Sequence, residues 1–433
     1  MKKQVATGGL VVLAVVACGS AGPQGFQNET SGDGGTVATD SGSPSLTGDS
    51  GVGGQFGGDA GPTFGSSCNG AATSVTGTVY APNGTDPLPN IYVYAAAQVN
   101  QFPPGNYCNQ CNKPLDTWYS HTQTAADGTF SLDLSGVPSG ANITFVINVG
   151  RFRKATQLPV KCGVNTAAAS ATTLPGKSAD GDIPKIAVST GNSDHLDQIL
   201  SALGITEYDC YEGRASTSSM PTCSPIDTVA NLLSKTSVKT IDDYHLLFVS
   251  CAPNAYKTFG SPTIASNTTA FVTAGGRLFA TDMSYDYVAQ AFPSEITWMG
   301  PSGSPQPVDG ANVGVGGSYT GNVDDPQLSA WLNKLGATTG TTVPLQGFLN
   351  PWSVQASLPK ASTLIVDGTV SYTGGGSDVP LTTEFDVSSC GRVIYSSYHT
   401  AGGNVTPGNL LPQERILEYL MFEVATCVTP PAQ

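Results

Sequence analysis

The segment 243–282 opens with D-Y-H-L-L-F-V-S-C (243–251) and closes with F-V-T-A-G-G-R-L-F-A-T-D (271–282). Each end carries a short unbroken apolar run, Leu246 to Val249 and Leu278 to Ala280, bounded by polar residues or glycine. A run of that length without polar alternation fits a strand buried on both faces. Between them the pattern from Asn267 to Ala274 predicts a helix, ended by Gly275 and Gly276. Strand, helix and strand in that order predict parallel strands joined by a helical crossover.

The flanks repeat the alternation. Ile183 to Thr190 (I-P-K-I-A-V-S-T) reads as a strand, and Ser193 as the N-cap of a helix with Leu196, Ile199, Leu200 and Leu203 on one face, stopped by Gly204. Ile226 to Leu233 gives another helix. Beyond residue 300 come Gly-rich β-like stretches, a helix at Pro326–Leu335, strands near Thr363–Val366 and Arg392–Ser397, and a last helix from Leu411 to Val424. Residues 183–427 are therefore expected to form an α/β, flavodoxin-like parallel-sheet domain with β insertions, followed by a tail, 428–433. His245, flanked by apolar strand residues, reads as structural, and His195 as a solvated helix residue. Trp298, Trp331 and Trp352 read as packing residues.

Upstream the period changes. Ser74 to Tyr80 alternates, Asn83-Gly84 and Pro87-Leu88-Pro89 turn the chain, and Ile91 to Tyr94 is a second strand. His121 to Thr124 leads into Asp127-Gly128, a hairpin signal, then Phe130 to Leu134 and Ile143 to Val149. Short strands at this spacing predict a β-sandwich over residues 68–163, joined to the α/β domain by a polar linker, 164–182. Residues 19–67 are Gly, Ser, Thr and Asp without apolar period, the composition of a disordered tether reaching about 35–40 Å. The fold class is thus multidomain.

The chain begins with Lys2 and Lys3 and a run of small apolar residues from Val5 to Ala17, too short to span a bilayer but long enough for a signal-peptide core. It ends Val15-Val16-Ala17-Cys18-Gly19, which resembles the lipobox of bacterial lipoproteins. The resemblance implies that residues 1–18 are signal peptide and lipobox, with cleavage that leaves an acylated Cys18 as the first mature residue and, with Gly19 rather than aspartate next, an outer-membrane lipoprotein facing the periplasm or the cell surface. Acyl chains add roughly 0.8 kcal/mol per buried CH₂, so the membrane is the first partner expected.

Net charge is −14, with no Lys or Arg between Gly19 and Asn112. Nucleic-acid binding, which needs a basic patch, is excluded from the expectation. Ten cysteines less Cys18 leave nine, an odd number in an oxidising compartment. Disulfide candidates are Cys68, Cys108, Cys111, Cys162, Cys210, Cys223, Cys390 and Cys427. Which cysteine stays unpaired, and how the others connect, is left open by the sequence. Cys108-Asn-Gln-Cys111 with His121 nearby is half a zinc pattern without a second half, so bridges are expected rather than metal, and no metal or cofactor is assigned.

The succession V-T-G-T-V-Y, P-N-G-T-D-P-L-P-N-I-Y-V-Y, T-A-A-D-G-T-F-S-L and V-P-S-G-A-N-I-T-F-V-I, over roughly residues 72–153, resembles the carboxypeptidase regulatory-like domain. That resemblance implies a transthyretin-like sandwich of carbohydrate-binding-like fold, an accessory module without a peptidase zinc site. The loop from Gln101 to Tyr119 holds Phe102, Tyr107, Trp118 and Tyr119, candidates for a sugar-stacking platform, with packing against the sandwich as the plainer expectation.

The segments D-Y-H-L-L-F-V-S-C, F-V-T-A-G-G-R-L-F-A-T-D and G-R-V-I-Y-S-S-Y-H-T (391–400) resemble the class I glutamine-amidotransferase-like fold, in its trehalose-utilisation branch. The family's nucleophilic cysteine would follow the strand Gly276–Ala280, where this chain has Thr281-Asp282-Met283-Ser284-Tyr285. His399 falls where the family's catalytic histidine would sit, so a base survives without its nucleophile. Cys251 belongs to an earlier strand end. A degenerate pocket is the leading expectation for Asp282, Ser284 and His399; a hydrolase using Asp282 or Ser284 with His399, and a cleft for a sugar or peptide, are the alternatives. The function expected is a non-catalytic scaffold or binding protein of the envelope, with a polysaccharide or an envelope protein as partner.

Overall fold

The computed structural model describes residues 61–191, 193–213, 223–252, 262–300, 310–359, 362–401 and 405–430; Cys18 and most of the tether lie outside them. The chain is mostly strand, arranged in several sheets with a smaller share of helix. Among the described residues no helix is long and apolar enough to cross a membrane.

The N-terminal part carries α1 (Phe64–Ser67), β1 (Ser74–Thr78), β2 (Tyr92–Gln98), β3 (Thr117–Gln123), β4 (Thr129–Asp133), β5 (Asn142–Val149), β6 (Phe152–Pro159), β7 (Val164–Thr166) and α2 (Ala169–Thr172). One sheet runs β4-β1-β7 and the other β3-β2-β5-β6. On β4, Phe130 and Leu132 are buried while their neighbours are exposed, the alternation of a one-sided strand. Phe130 meets Phe145 of β5 across the interior, ring centroids 5.9 Å apart.

Three expectations are corrected here. Asp127-Gly128 does not close a hairpin: β3 before it pairs with β2, while β4 after it pairs with β1, so the turn passes the chain between sheets. Gly128 is required there, with φ +73 and the Pro87 side chain only 2.8 Å from where a Cβ would stand. The end of the tether is packed, since Phe64 is buried and Thr63 bridges Pro138. The linker is structured too: β7 pairs in parallel with β1, and Asp182 bridges Arg153.

The second part contains β8 (Ile186–Ser189), α3 (Leu196–Ala202), β9 (Asp209–Glu212), β10 (Asp227–Thr228), α4 (Val229–Ser234), β11 (Leu246–Val249), α5 (Pro262–Thr273), β12 (Arg277–Thr281) and α6 (Asp286–Ala289). Then follow β13 (Thr297–Trp298), β14 (Asn312–Gly314), β15 (Gly317–Val323), α7 (Pro326–Lys334), β16 (Thr342–Phe348), β17 (Trp352–Ser353), β18 (Gln355–Ser357), β19 (Thr363–Tyr372), β20 (Gly375–Val387), β21 (Gly391–Ser396) and α8 (Pro412–Glu423). Strands β10-β9-β8-β11-β12-β21 lie side by side and parallel, and the same sheet continues antiparallel through β20 and β19. The unbroken apolar runs are explained by two-sided burial. Leu246 and Phe248 enter a core with α3 and α8, and Leu247 and Val249 enter a second core with α4 and α5. The helix expected from Ser193 starts later, with His195 at its N-cap and only partly buried. The intervening Asp194 is drawn instead into the strand ends.

The first of these cores does not stop at the linker. It runs without a break from the N-terminal sheets into α3, α7 and α8. Phe152 packs on Phe422 at 5.6 Å, the buried Trp331 donates from Nε1 to the Pro87 carbonyl at 2.7 Å, and Arg415 pairs with Asp86 at 2.9 Å. Trp298 and Trp352 are buried as expected. Four disulfides form: Cys68–Cys162, Cys210–Cys223, Cys108–Cys390 and Cys111–Cys427. The last two tie the β2–β3 loop to the C-terminal third of the chain. Among the described residues Cys251 alone is free, and it is buried.

Candidate functional site

Because β8, β11, β12 and β21 are parallel neighbours, their carboxyl ends lie along one edge. Chain order reverses at β8, which has β9 on one side and β11 on the other; ligands of open α/β sheets collect beside such a reversal. Asp194, Cys251, Asp282 and His399 follow these four strands in turn.

Asp282 follows β12 in the left-handed region, φ +39, a conformation that costs a non-glycine residue free energy. Its Oδ1 accepts the Ser353 N–H at 2.9 Å, and its Oδ2 accepts the Cys251 thiol at 3.3 Å and lies 3.6 Å from His399 Nε2. The other ring nitrogen of His399, Nδ1, is 2.6 Å from the Thr400 carbonyl. Burial, more than any other cause, pushes the Asp282 carboxyl up to about 6, with His399 opposing. Burial and the Asp282 and Asp194 carboxylates raise the Cys251 thiol, which therefore stays protonated at neutral pH. Asp194, wholly buried, accepts from Thr281 Oγ1, from the Cys251 N–H at 3.0 Å and from the Thr400 N–H at 3.3 Å, and so fixes three strand ends against one another.

Of the residues expected here, Asp282 and His399 come together and Ser284 does not: its Oγ donates to the Ser250 carbonyl at 2.8 Å. Cys251 and Asp194 were not read as site residues. The signal for Cys251 was its place directly after an apolar strand, beside the strand that ends in Asp282.

A second site lies at the joint between the two parts of the chain. A cleft of about 400 Å³ is lined by Tyr92, Phe102, Tyr107 and Trp118 from the N-terminal part and by Arg392 and Glu423 from the C-terminal part, with Cys111–Cys427 in its wall. Trp118 stacks on Tyr92, centroids 6.2 Å apart and planes 17° from parallel, and has His121 against it at 4.6 Å. Phe102 carries the Arg153 guanidinium over its ring at 4.2 Å, and Tyr107 that of Arg151 at 4.9 Å, so these two aromatics are walls held by cations. Tyr119, the fourth candidate, is 52% exposed and does not line the cleft. The zinc half-pattern is spent, since Cys108 and Cys111 are both in disulfides.

No known family model matches this chain, and no curated protein matches it. Chemistry is therefore read from the two sites alone. At the strand ends, the Cys251 thiol is held protonated and the Ser284 hydroxyl is spent on a carbonyl, so neither is activated for attack, which needs a thiolate or a base in contact with the hydroxyl. In the cleft, Arg392 is already paired with Asp386 at 2.8 Å and with Glu384 and Glu423 at 3.2 Å each. It is the one basic residue among the described lining, so the cleft offers aromatic faces and amide edges rather than a free cation.

Proposed function

We propose that this protein is an exported, lipid-anchored binding protein of the cell envelope, and that the ligand taken into the cleft is a neutral saccharide. The observation that carries the reading is the Trp118–Tyr92 stack set in a concave wall edged by Asn90, Gln123 and Asn148. Aromatic faces cover the apolar C–H side of a sugar ring while amides exchange hydrogen bonds with its hydroxyls, and a few convergent polar groups in an apolar pocket give orientation. The commitment of Arg392 to three carboxylates disfavours an anionic ligand. Four disulfides support an oxidising compartment, in keeping with the signal-peptide and lipobox reading of residues 1–18. The two N-terminal sheets over one interior support a sandwich of carbohydrate-binding-like fold, and the six parallel strands support a flavodoxin-like, amidotransferase-like second part. The geometry of Ser284 and Cys251 favours binding over hydrolysis.

The test is a glycan array followed by calorimetry on the full chain, with a panel of envelope and extracellular polysaccharides. Binding to at least one neutral glycan is expected, weakened tenfold or more by Trp118→Ala, a loss of about 1.4 kcal/mol or greater. Failure to bind any glycan, or binding indifferent to Trp118→Ala, would overturn the saccharide reading.

A further inference from the structure

The strand-end cluster contains an imbalance that hydrogen bonding leaves unresolved. The Thr400 carbonyl can only accept, so His399 Nδ1, 2.6 Å from it, must carry a proton. With that proton on Nδ1, Nε2 is the ring's remaining polar atom, and it is buried with no hydrogen-bond partner. It faces Asp282 Oδ2 at 3.6 Å, a second acceptor. The third group, the Cys251 thiol, is a weak donor already directed at Asp282. In an interior where all three residues are at most 2% exposed, Nε2 and Oδ2 need a positive centre between them, supplied by a proton on Nε2 or by a metal ion.

We infer that Cys251, Asp282 and His399 form a binding site for one divalent cation of the zinc class. The three donor atoms, Sγ, Oδ2 and Nε2, lie within 4.8 Å of one another. Around a tetrahedral zinc, with its usual bonds to sulfur, oxygen and nitrogen, the donor–donor edges are about 3.3–3.6 Å. Two of the three edges are already 3.3 and 3.6 Å. The donor set is that of zinc rather than calcium or magnesium, since thiolate and imidazole are poor ligands for hard cations. Binding releases the thiol proton to solvent and leaves thiolate, carboxylate and neutral imidazole around a 2+ ion, a buried cluster of zero net charge. The bond from Nδ1–H to a backbone carbonyl is the outer-shell contact that fixes a ligating imidazole's tautomer and orientation. The other acidic neighbour, Asp194, holds the Cys251 N–H and so positions the sulfur. The ion would tie the ends of β11, β12 and β21 together.

The full-length chain, stripped with chelator and passed through gel filtration, is titrated with Zn²⁺ and separately with Co²⁺. One equivalent of zinc retained after desalting is expected, with a rise in Tm, because a cation that binds only the folded state stabilises it by mass action. Cobalt is expected to give visible bands of a four-coordinate site and a thiolate charge-transfer band. The eight other body cysteines are in disulfides, so loss of that band in Cys251→Ser assigns it to this sulfur and separates it from Cys18. Should Cys251→Ser fail to fold, retention of one zinc and the wild-type cobalt spectrum decide alone. No retained metal and no Tm shift would overturn the inference, as would a cobalt spectrum unchanged in Cys251→Ser. Glycan binding by the distant cleft is unaffected by either result.

Discussion

His245 illustrates how a polar residue in an apolar strand is satisfied by one bond. Its Nδ1 accepts the Lys185 N–H at 2.9 Å, which requires an unprotonated nitrogen. Burial, reinforced by Arg151 and Lys185, pushes the ring down to about 3. The folded value lies below the unfolded one of 6.5, so the unfolded chain binds the extra proton between them. Stability from this residue is whole above about 6.5 and is lost as pH falls toward 3. His245→Asn, whose amide oxygen takes the same N–H, should flatten the acid limb of a plot of unfolding free energy against pH by about 3 kcal/mol, solvent screening allowed for; an unchanged limb in urea melts would refute it. The same scale shows what was legible at the strand ends. Asp282 and His399 could be picked out because each follows a strand readable by itself. Cys251 also follows such a strand, but its nearness to Asp282 depends on register. Leu246 pairs with Arg277, an offset of 31, and Cys251 stands 31 residues before Asp282, so pairing continued past the strands sets the two side by side. No local pattern encodes that offset.

Among the elements, β8, β11, β12 and β21 were readable from their apolar runs and the helices from their apolar faces and the glycines that follow them, while β9, several other β segments and β10, which falls inside the helix expected over Ile226–Leu233, were not. β6 buries only its first two residues and β7 is just three residues long with none of them buried, so neither carries an apolar period. β19 and β20 are held by their antiparallel pairing, with glycines and threonines where alternation would be sought. The β2–β3 loop was readable as aromatic, but its fastening was not: its two cysteines, separated by two residues, bond to partners 282 and 316 residues away. Closing loops this long restricts the unfolded chain strongly, and removal of one such bridge costs about 2–5 kcal/mol. The double variant Cys111→Ser, Cys427→Ser should therefore lower Tm by several degrees and, because the bridge is part of the cleft wall, weaken glycan binding at a temperature where the fold persists. Calorimetry of both properties checks this; a lower Tm with full affinity would remove the bridge from the binding site.

For the whole molecule, the division into a β module and an α/β module describes the strand patterns better than it describes the energetics. One apolar cluster extends from Val75 and Phe145 to Ile416 and Phe422, and the linker adds strand β7 to the first sheet. Residues 61–182 expressed alone would expose the face that Phe152 and Val149 turn toward α8, and we expect them to lack cooperative thermal unfolding, whereas the full chain should unfold in a single transition. Scanning calorimetry of both checks this, and an independent sharp transition in the fragment would restore two separable domains. The pattern of bridges has one more consequence, for survival among proteases. A single backbone cut anywhere between Gly163 and Ser389 divides the chain into a piece holding Cys108 and Cys111 and a piece holding Cys390 and Cys427, and two covalent bonds still join them. A clipped molecule thus keeps its two halves together, and keeps the wall of its cleft.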